Sequence, residues 1–263
     1  MTMGGGAGTG AVIPSLPSGG TKIMEPDKNG NAVINTSDVA GAAAQARQDA
    51  QQKGQSNSPI AVVIPILAPG QSQAAWPTPV GVIFPAQTLD CLVQESVQSL
   101  EMRVDGNISV YFNQNLLKWL DAAAGERTLI LRIRKLTPDQ IAQQPEAAAA
   151  ADTDQALVWI REMQTRQETQ FCSVYELTLA YLSGGVEIPV TSLEGHTITV
   201  QITGPSIAGI PAAGENLGSL AAFCPGDTGQ LQWLAGPRYD PLRKTVIFET
   251  SHTGLCGVGN KSR

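Results

Sequence analysis

The sequence predicts an α+β fold, with N-terminal strand-helix-strand units followed by a β-rich, sandwich-like part. Between residues 32 and 136 the chain writes three times a strand, a capping residue, a helix and a second strand. From residue 172 onward, short runs alternate apolar and polar residues and are separated by glycine turns, the period of half-buried strands. With 263 residues, of which 42% are hydrophobic, the chain can also bury a sizeable core.

The first unit opens on the turn Asp27-Lys28-Asn29-Gly30-Asn31 and a short strand at 32–34. Asn35, Thr36, Ser37 and Asp38 offer N-caps for an Ala/Gln-rich helix over 39–52, and Gly54 stops it. The run IAVVIPIL at 60–67 reads as a strand buried on both faces. Its interior Pro65 points to a bend or an edge position. The second unit is a strand at 80–84, a helix begun by Pro85 and running to about 95, and a strand at 100–104. Asp105-Gly106-Asn107 is a tight hairpin signal. The third unit is a strand at 108–112, a helix capped by Asn113 and ending at 124, and the strand TLILRIRKL at 128–136.

Residues 137–171 change character to Pro, Gln and Ala with charges, but Ala156, Ile160 and Met163 keep helical spacing. A linker or surface helix is expected there. Strands follow at 174–181, 186–190, 197–202, 220–224, 231–234, 245–250 and 255–258. The organisation expected is a flexible Gly/Ser/Pro-rich leader at 1–21, an α+β domain at 22–136, the linker or helix, a β-rich domain at 172–259 and a tail at 260–263.

Composition excludes several functions. Charged residues make up only 15%, and 17 basic against 23 acidic residues leave a net charge of −6. Nucleic-acid binding needs a clustered cationic face, and in the densest basic stretch, Arg132, Arg134 and Lys135, the alternating Arg132 and Arg134 read as a solvated strand face. No apolar run approaches the roughly 20 residues of a membrane span. No secretory signal is visible. Cys91, Cys172, Cys224 and Cys256 form no CxxC pair, so neither zinc spacing nor thioredoxin-like chemistry is expected.

Motifs for chemistry fare poorly. Gly6-Ala7-Gly8-Thr9-Gly10-Ala11 matches the letters of a dinucleotide fingerprint without the preceding strand, and Gly257 to Ser262 only brushes a phosphate loop. His196 and His252 stand far apart, and no serine sits in a nucleophile elbow. The sharpest candidate is a calcium loop with Asp27, Asn29, Asn31 and Asp38 as ligands. Ala32 stands where that loop needs glycine and Asp38 is shorter than the usual bidentate Glu, so a turn followed by a helix cap is preferred and no cofactor is expected. Trp76, in a Pro/Gly/Ser-rich loop, is the candidate for ligand contact. Trp159 and Trp233 are further exposed-aromatic candidates, with core packing preferred for Trp233.

The ending PRYDPLRKTVIFETSH at 237–252 resembles a repeat module of secreted bacterial cell-surface proteins that carry S-layer homology domains. NGNAVINTSDVAGAAAQA, VGVIFPAQTLDCL, NISVYFNQNLLKWL, SVYELTLAYLSG and GENLGSLAAFCPGDTGQLQWL resemble the same modules in the same order. The resemblance covers most of the chain from Lys22 to Val258, departing at Thr253-Gly254-Leu255-Cys256. It implies an extracellular, non-catalytic structural, adhesion or assembly module whose partners are other cell-surface domains or wall polymers. In such modules the strands bearing Cys224 and Cys256 share one small β-fold, so that pair is expected to approach bonding distance, either as a disulfide or as two buried free thiols. A carbohydrate- or peptide-binding module and an intracellular enzyme of another type are the alternatives.

Overall fold

The computed structural model describes residues 20–67, 79–136, 140, 151–165, 169–203, 220–228, 230–234, 236–240 and 242–261. Among them are four helices and fifteen strands in two mixed sheets, a β-rich α+β fold. The N-terminal elements are β1 (Gly20–Thr21), β2 (Asn31–Val33), α1 (Thr36–Gln52), β3 (Ile60–Ile66), β4 (Val80–Phe84), α2 (Ala86–Gln94), β5 (Val97–Val104), β6 (Ile108–Asn113), α3 (Gln114–Ala124) and β7 (Thr128–Leu136). They are followed by α4 (Ala151–Thr165), β8 (Thr169–Ser183), β9 (Val186–Val190), β10 (Ile198–Thr203), β11 (Leu220–Pro225), β12 (Leu231–Trp233), β13 (Arg238–Asp240), β14 (Thr245–Thr250) and β15 (Gly254–Lys261).

The first sheet runs β1-β3-β5-β6-β10-β14-β13, and the second runs β12-β11-β15-β8-β7-β4-β2 with β9 added alongside β8. The three strand-helix-strand units are real, and each crosses between the sheets. β2-α1-β3 and β4-α2-β5 both pass from the second sheet to the first, which sets β2 parallel to β4 and β3 parallel to β5. β6-α3-β7 returns from the first sheet to the second.

Local chemistry places these elements. The Asp38 carboxylate reaches back to accept the Asn35 N–H at 3.0 Å, closing the start of α1. Asn113 Oδ1 accepts the Leu116 N–H at 2.9 Å and caps α3. Asp105 and Gly106 both have positive φ, the mirror-image turn whose twist matches the β5–β6 hairpin. Gly20 is required by close approach, because a Cβ there would lie 1.6 Å from the Ala42 carbonyl oxygen of α1. Pro65 does not lie on an edge strand, since β3 sits between β1 and β5. Its carbonyl accepts from Met24 at 2.9 Å, so its nitrogen turns toward the two-residue β1, where few ladder bonds are made.

The alternation read in the sequence becomes two packed faces. Leu100, Met102 and Val104 of β5, Ile108, Val110 and Phe112 of β6, and Ile198, Val200 and Ile202 of β10 join one core. The second sheet supplies Leu129, Leu131 and Ile133 of β7 and Tyr175, Leu177, Leu179 and Tyr181 of β8 to the same core, as do α1, α2 and α3 with Ala43, Leu92 and Leu120. The Tyr181 hydroxyl donates to the Leu120 carbonyl at 3.5 Å, joining α3 to the second sheet. A smaller core on the other face of that sheet gathers Leu136, Val174, Phe223 and Leu255 under Ala156 and Ile160 of α4. The expected surface helix is therefore present and amphipathic in its packing.

The segments 22–136 and 172–259 are continuous through both sheets, because each sheet draws strands from both. β6 pairs with β10 from Ile108↔Ile202 to Phe112↔Ile198, and β7 pairs with β8 from Thr128↔Leu182 to Leu136↔Val174. Each half supplies adjacent strands to both sheets, β1-β3-β5-β6 with β7-β4-β2 from the first and β10-β14-β13 with β12-β11-β15-β8 from the second, and the two blocks join side by side at β6–β10 and β7–β8.

Leu120 is fully buried at the meeting of α3 and both sheets. Leu120→Ala should cost roughly 2–5 kcal/mol in denaturant unfolding, and Asn113→Ala about 1 kcal/mol. A loss below 1 kcal/mol at Leu120 would show that this junction is loosely packed.

Candidate functional site

Three turns meet at one end of the sandwich around His252. The turn between β14 and β15 is held against the start of the β9–β10 connection. Leu193 N–H donates to the Ser251 carbonyl at 2.9 Å, Thr253 N–H to the Thr191 carbonyl at 3.2 Å, and the Thr253 hydroxyl to the Val190 carbonyl at 2.7 Å. The Thr250 hydroxyl donates to the His252 carbonyl at 2.8 Å and fixes the turn from within.

His252 Nδ1 lies 3.0 Å from Ser251 Oγ, and His252 Nε2 lies 3.5 Å from Asp227 Oδ1 in the β11–β12 turn. A serine, a histidine and an aspartate are thus brought together. The imidazole is 15% exposed, whereas the Asp227 side chain is 99% exposed. A carboxylate that free in water holds no imidazole orientation for proton transfer, and its attraction is screened. The arrangement can bracket three turns; acyl transfer would further need oxyanion donors and a substrate seat. Sequence reading missed this grouping because Asp227 and His252 become neighbours only through the pairing of β11 with β15.

The other candidates are placed as follows. Asp27 Oδ1 accepts the N–H groups of Asn29 at 2.8 Å and Asn31 at 2.9 Å. These backbone bonds, that from Asn31 foremost, hold its carboxyl below the usual aspartate range. Asp38 caps α1 and pairs with Lys22 at 3.2 Å. Asp27 and Asp38 thus serve the turn and the cap; among the described residues no three His, Cys, Asp or Glu side chains gather as metal ligands. His196 stacks on Trp119 with ring centroids 5.5 Å apart. Trp233 packs on Trp159 at 5.6 Å and on Phe223 at 5.8 Å, in the smaller core. Trp76 lies outside the described residues. Arg132 and Arg134 are half-buried and form ion pairs with Glu187 and Glu176 respectively, so they brace the sheet beyond lining a solvated face.

A second polar grouping was also missed. On the face of the first sheet turned away from the core, Glu101 is only 1% exposed. Its Oε1 accepts from Ser109 Oγ at 2.8 Å and from Arg103 Nε at 2.9 Å, while Oε2 has no hydrogen-bond partner among the described residues. Tyr111 lies opposite Glu101 in register, and its hydroxyl donates to Gln201 Oε1 at 2.9 Å. Burial, then the nearby Glu101 charge, raises the Tyr111 hydroxyl above its ordinary pKa. The signal lay in the strand LEMRV, where Glu101 and Arg103 alternate with buried Leu100, Met102 and Val104. An open cleft between α2 and α3 is lined by Asp90, Asp121 and Glu126, and burial followed by Asp90 raises the Asp121 carboxyl.

No protein-family model and no curated protein matches the chain.

Three outcomes follow from this geometry. Melting curves with excess calcium and with chelator should agree within about one degree, since specific binding stabilises by RT ln(1 + [L]/Kd). A rise of several degrees that vanishes in Asp27→Ala would restore the calcium loop. The lowered Asp27 carboxyl contributes stability that is present above the pKa of an unfolded aspartate and lost as pH falls through the folded value. An Asp27 titration by NMR with a midpoint above that of exposed aspartates would contradict the turn. Arg103→Ala should cost about 2–3 kcal/mol, less than for a fully buried pair because Arg103 is half exposed; a neutral effect would mean that Glu101 finds another partner.

Proposed function

We propose that the chain is a non-catalytic structural module, a spacer, adhesion or assembly unit at a bacterial cell surface. The observation that carries this reading is the use made of its polar side chains. Asp27, Asp38, Glu101, Arg132, Arg134 and Asn113 secure turns, helix caps and sheet rows. The ladders β6–β10 and β7–β8 tie the two halves into one body, which suits a part that keeps its shape while carrying neighbours. The ordered blocks that resemble surface-protein modules support the same location, with other surface domains or wall polymers as partners.

Hydrolysis is the second reading, and the Ser251–His252–Asp227 grouping is the observation in its favour. Purified protein should turn over no substrate on ester, peptide and glycoside panels, and His252→Ala should leave that unchanged. Turnover in the parent chain that disappears in His252→Ala would make this an enzyme. Fractionation of the native cells should recover the chain at the outer surface; recovery wholly in the cytosol would overturn the proposed location.

A further inference from the structure

Cys224 and Cys256 stand on neighbouring antiparallel strands, both 2% exposed and both in the main core. β11 pairs with β15 from Leu220↔Asn260 to Phe223↔Gly257, and one further step in that register sets Cys224 opposite Cys256. The ladder stops there because Pro225 has no N–H to donate. The strands nevertheless stay adjacent, since a Cβ on Gly254 would lie 2.8 Å from Pro225 Cγ.

The hydrogen bonds fix which kind of position this is. Leu234 N–H donates to the Ala222 carbonyl and Gly226 N–H to the Gln230 carbonyl, so residues 222, 224 and 226 turn their backbone groups toward β12. Toward β15, Cys224 therefore occupies a non-hydrogen-bonded position, where facing Cα atoms approach to about 4.5 Å and side chains are closest. That spacing falls within the roughly 4.4–6.8 Å span of disulfides. Both thiols are free in this structure.

We infer that Cys224 and Cys256 are a built cross-strand disulfide site, closed by thiol–disulfide exchange with a small-molecule disulfide such as oxidised glutathione. One thiolate attacks the glutathione disulfide and releases one glutathione thiol. The second thiolate attacks the resulting mixed disulfide and releases the other. The protein pair loses two electrons and two protons, and glutathione disulfide is reduced to two thiols. Burial and the nearby Cys224 raise the Cys256 thiol, so little thiolate forms in the folded protein and closure belongs to folding. The bond would fasten β15 to β11 within the larger sheet.

The test is refolding of the full chain in a mixed reduced and oxidised glutathione buffer. Free thiols are then alkylated, and the digest is read by mass spectrometry without reduction. The expected product is a peptide linking Cys224 to Cys256, with Cys91 alkylated, and a melting temperature roughly 5–10 °C above the dithiothreitol-treated protein. The variant Cys91→Ser/Cys172→Ser should give the same linked peptide and the same shift. Cys224→Ala should show neither. Cys224 and Cys256 recovered alkylated, capped singly by glutathione, or linked to Cys91 or Cys172 would overturn the assignment.

Discussion

The pairing of β7 with β8 and of β6 with β10 is the constraint on which the rest of the structure depends. Each ladder joins residues far apart in the chain, and each closes only once the intervening segments are placed. Together they set two sheets face to face, and the apolar residues at every second position then have one common interior. The helices follow from the same constraint. A strand leaving one sheet must reach the other, and α1, α2 and α3 span that distance while burying one face each. The entropic cost of closing such long loops is offset by the apolar burial that the closed ladders allow.

The same arrangement governs the polar groups. Side chains that face away from the shared core become ion pairs and hydrogen-bonded rows, as at Glu101 with Arg103 and Ser109, or Arg134 with Glu176. Turns that are remote in sequence converge at the end of the sandwich, which is how Asp227 comes to His252. A buried carboxylate held by one neighbouring arginine adds little net stability, since desolvation offsets most of the attraction.

Much of this was legible along the chain. The strand 128–136 has the boundaries its alternation predicts, Asn113 caps α3 as read, and the Asp105-Gly106 hairpin forms as its turn residues require. Those features are decided within a few residues. β1 and β13 were missed because two or three residues carry no period. The pairing that joins the two expected domains was hidden for a different reason. A local pattern tells which face of a strand is apolar but not which distant strand will cover its edge, so the stitching of 108–112 to 198–202 had no signature. The His252 grouping shares that origin, whereas the calcium-loop letters at 27–38 proved compatible with a turn and a cap made by the same side chains.

Native-state hydrogen exchange of the amides in β6, β7, β8 and β10 tests the shared-core account most directly. Because these strands lock one another across the two halves, their slowest amides should exchange only through global opening, with one free energy common to all four strands. Amides of β8 and β10 that remain protected while those of β6 and β7 exchange through a lower-energy opening would contradict it, because the halves would then be separate folding units.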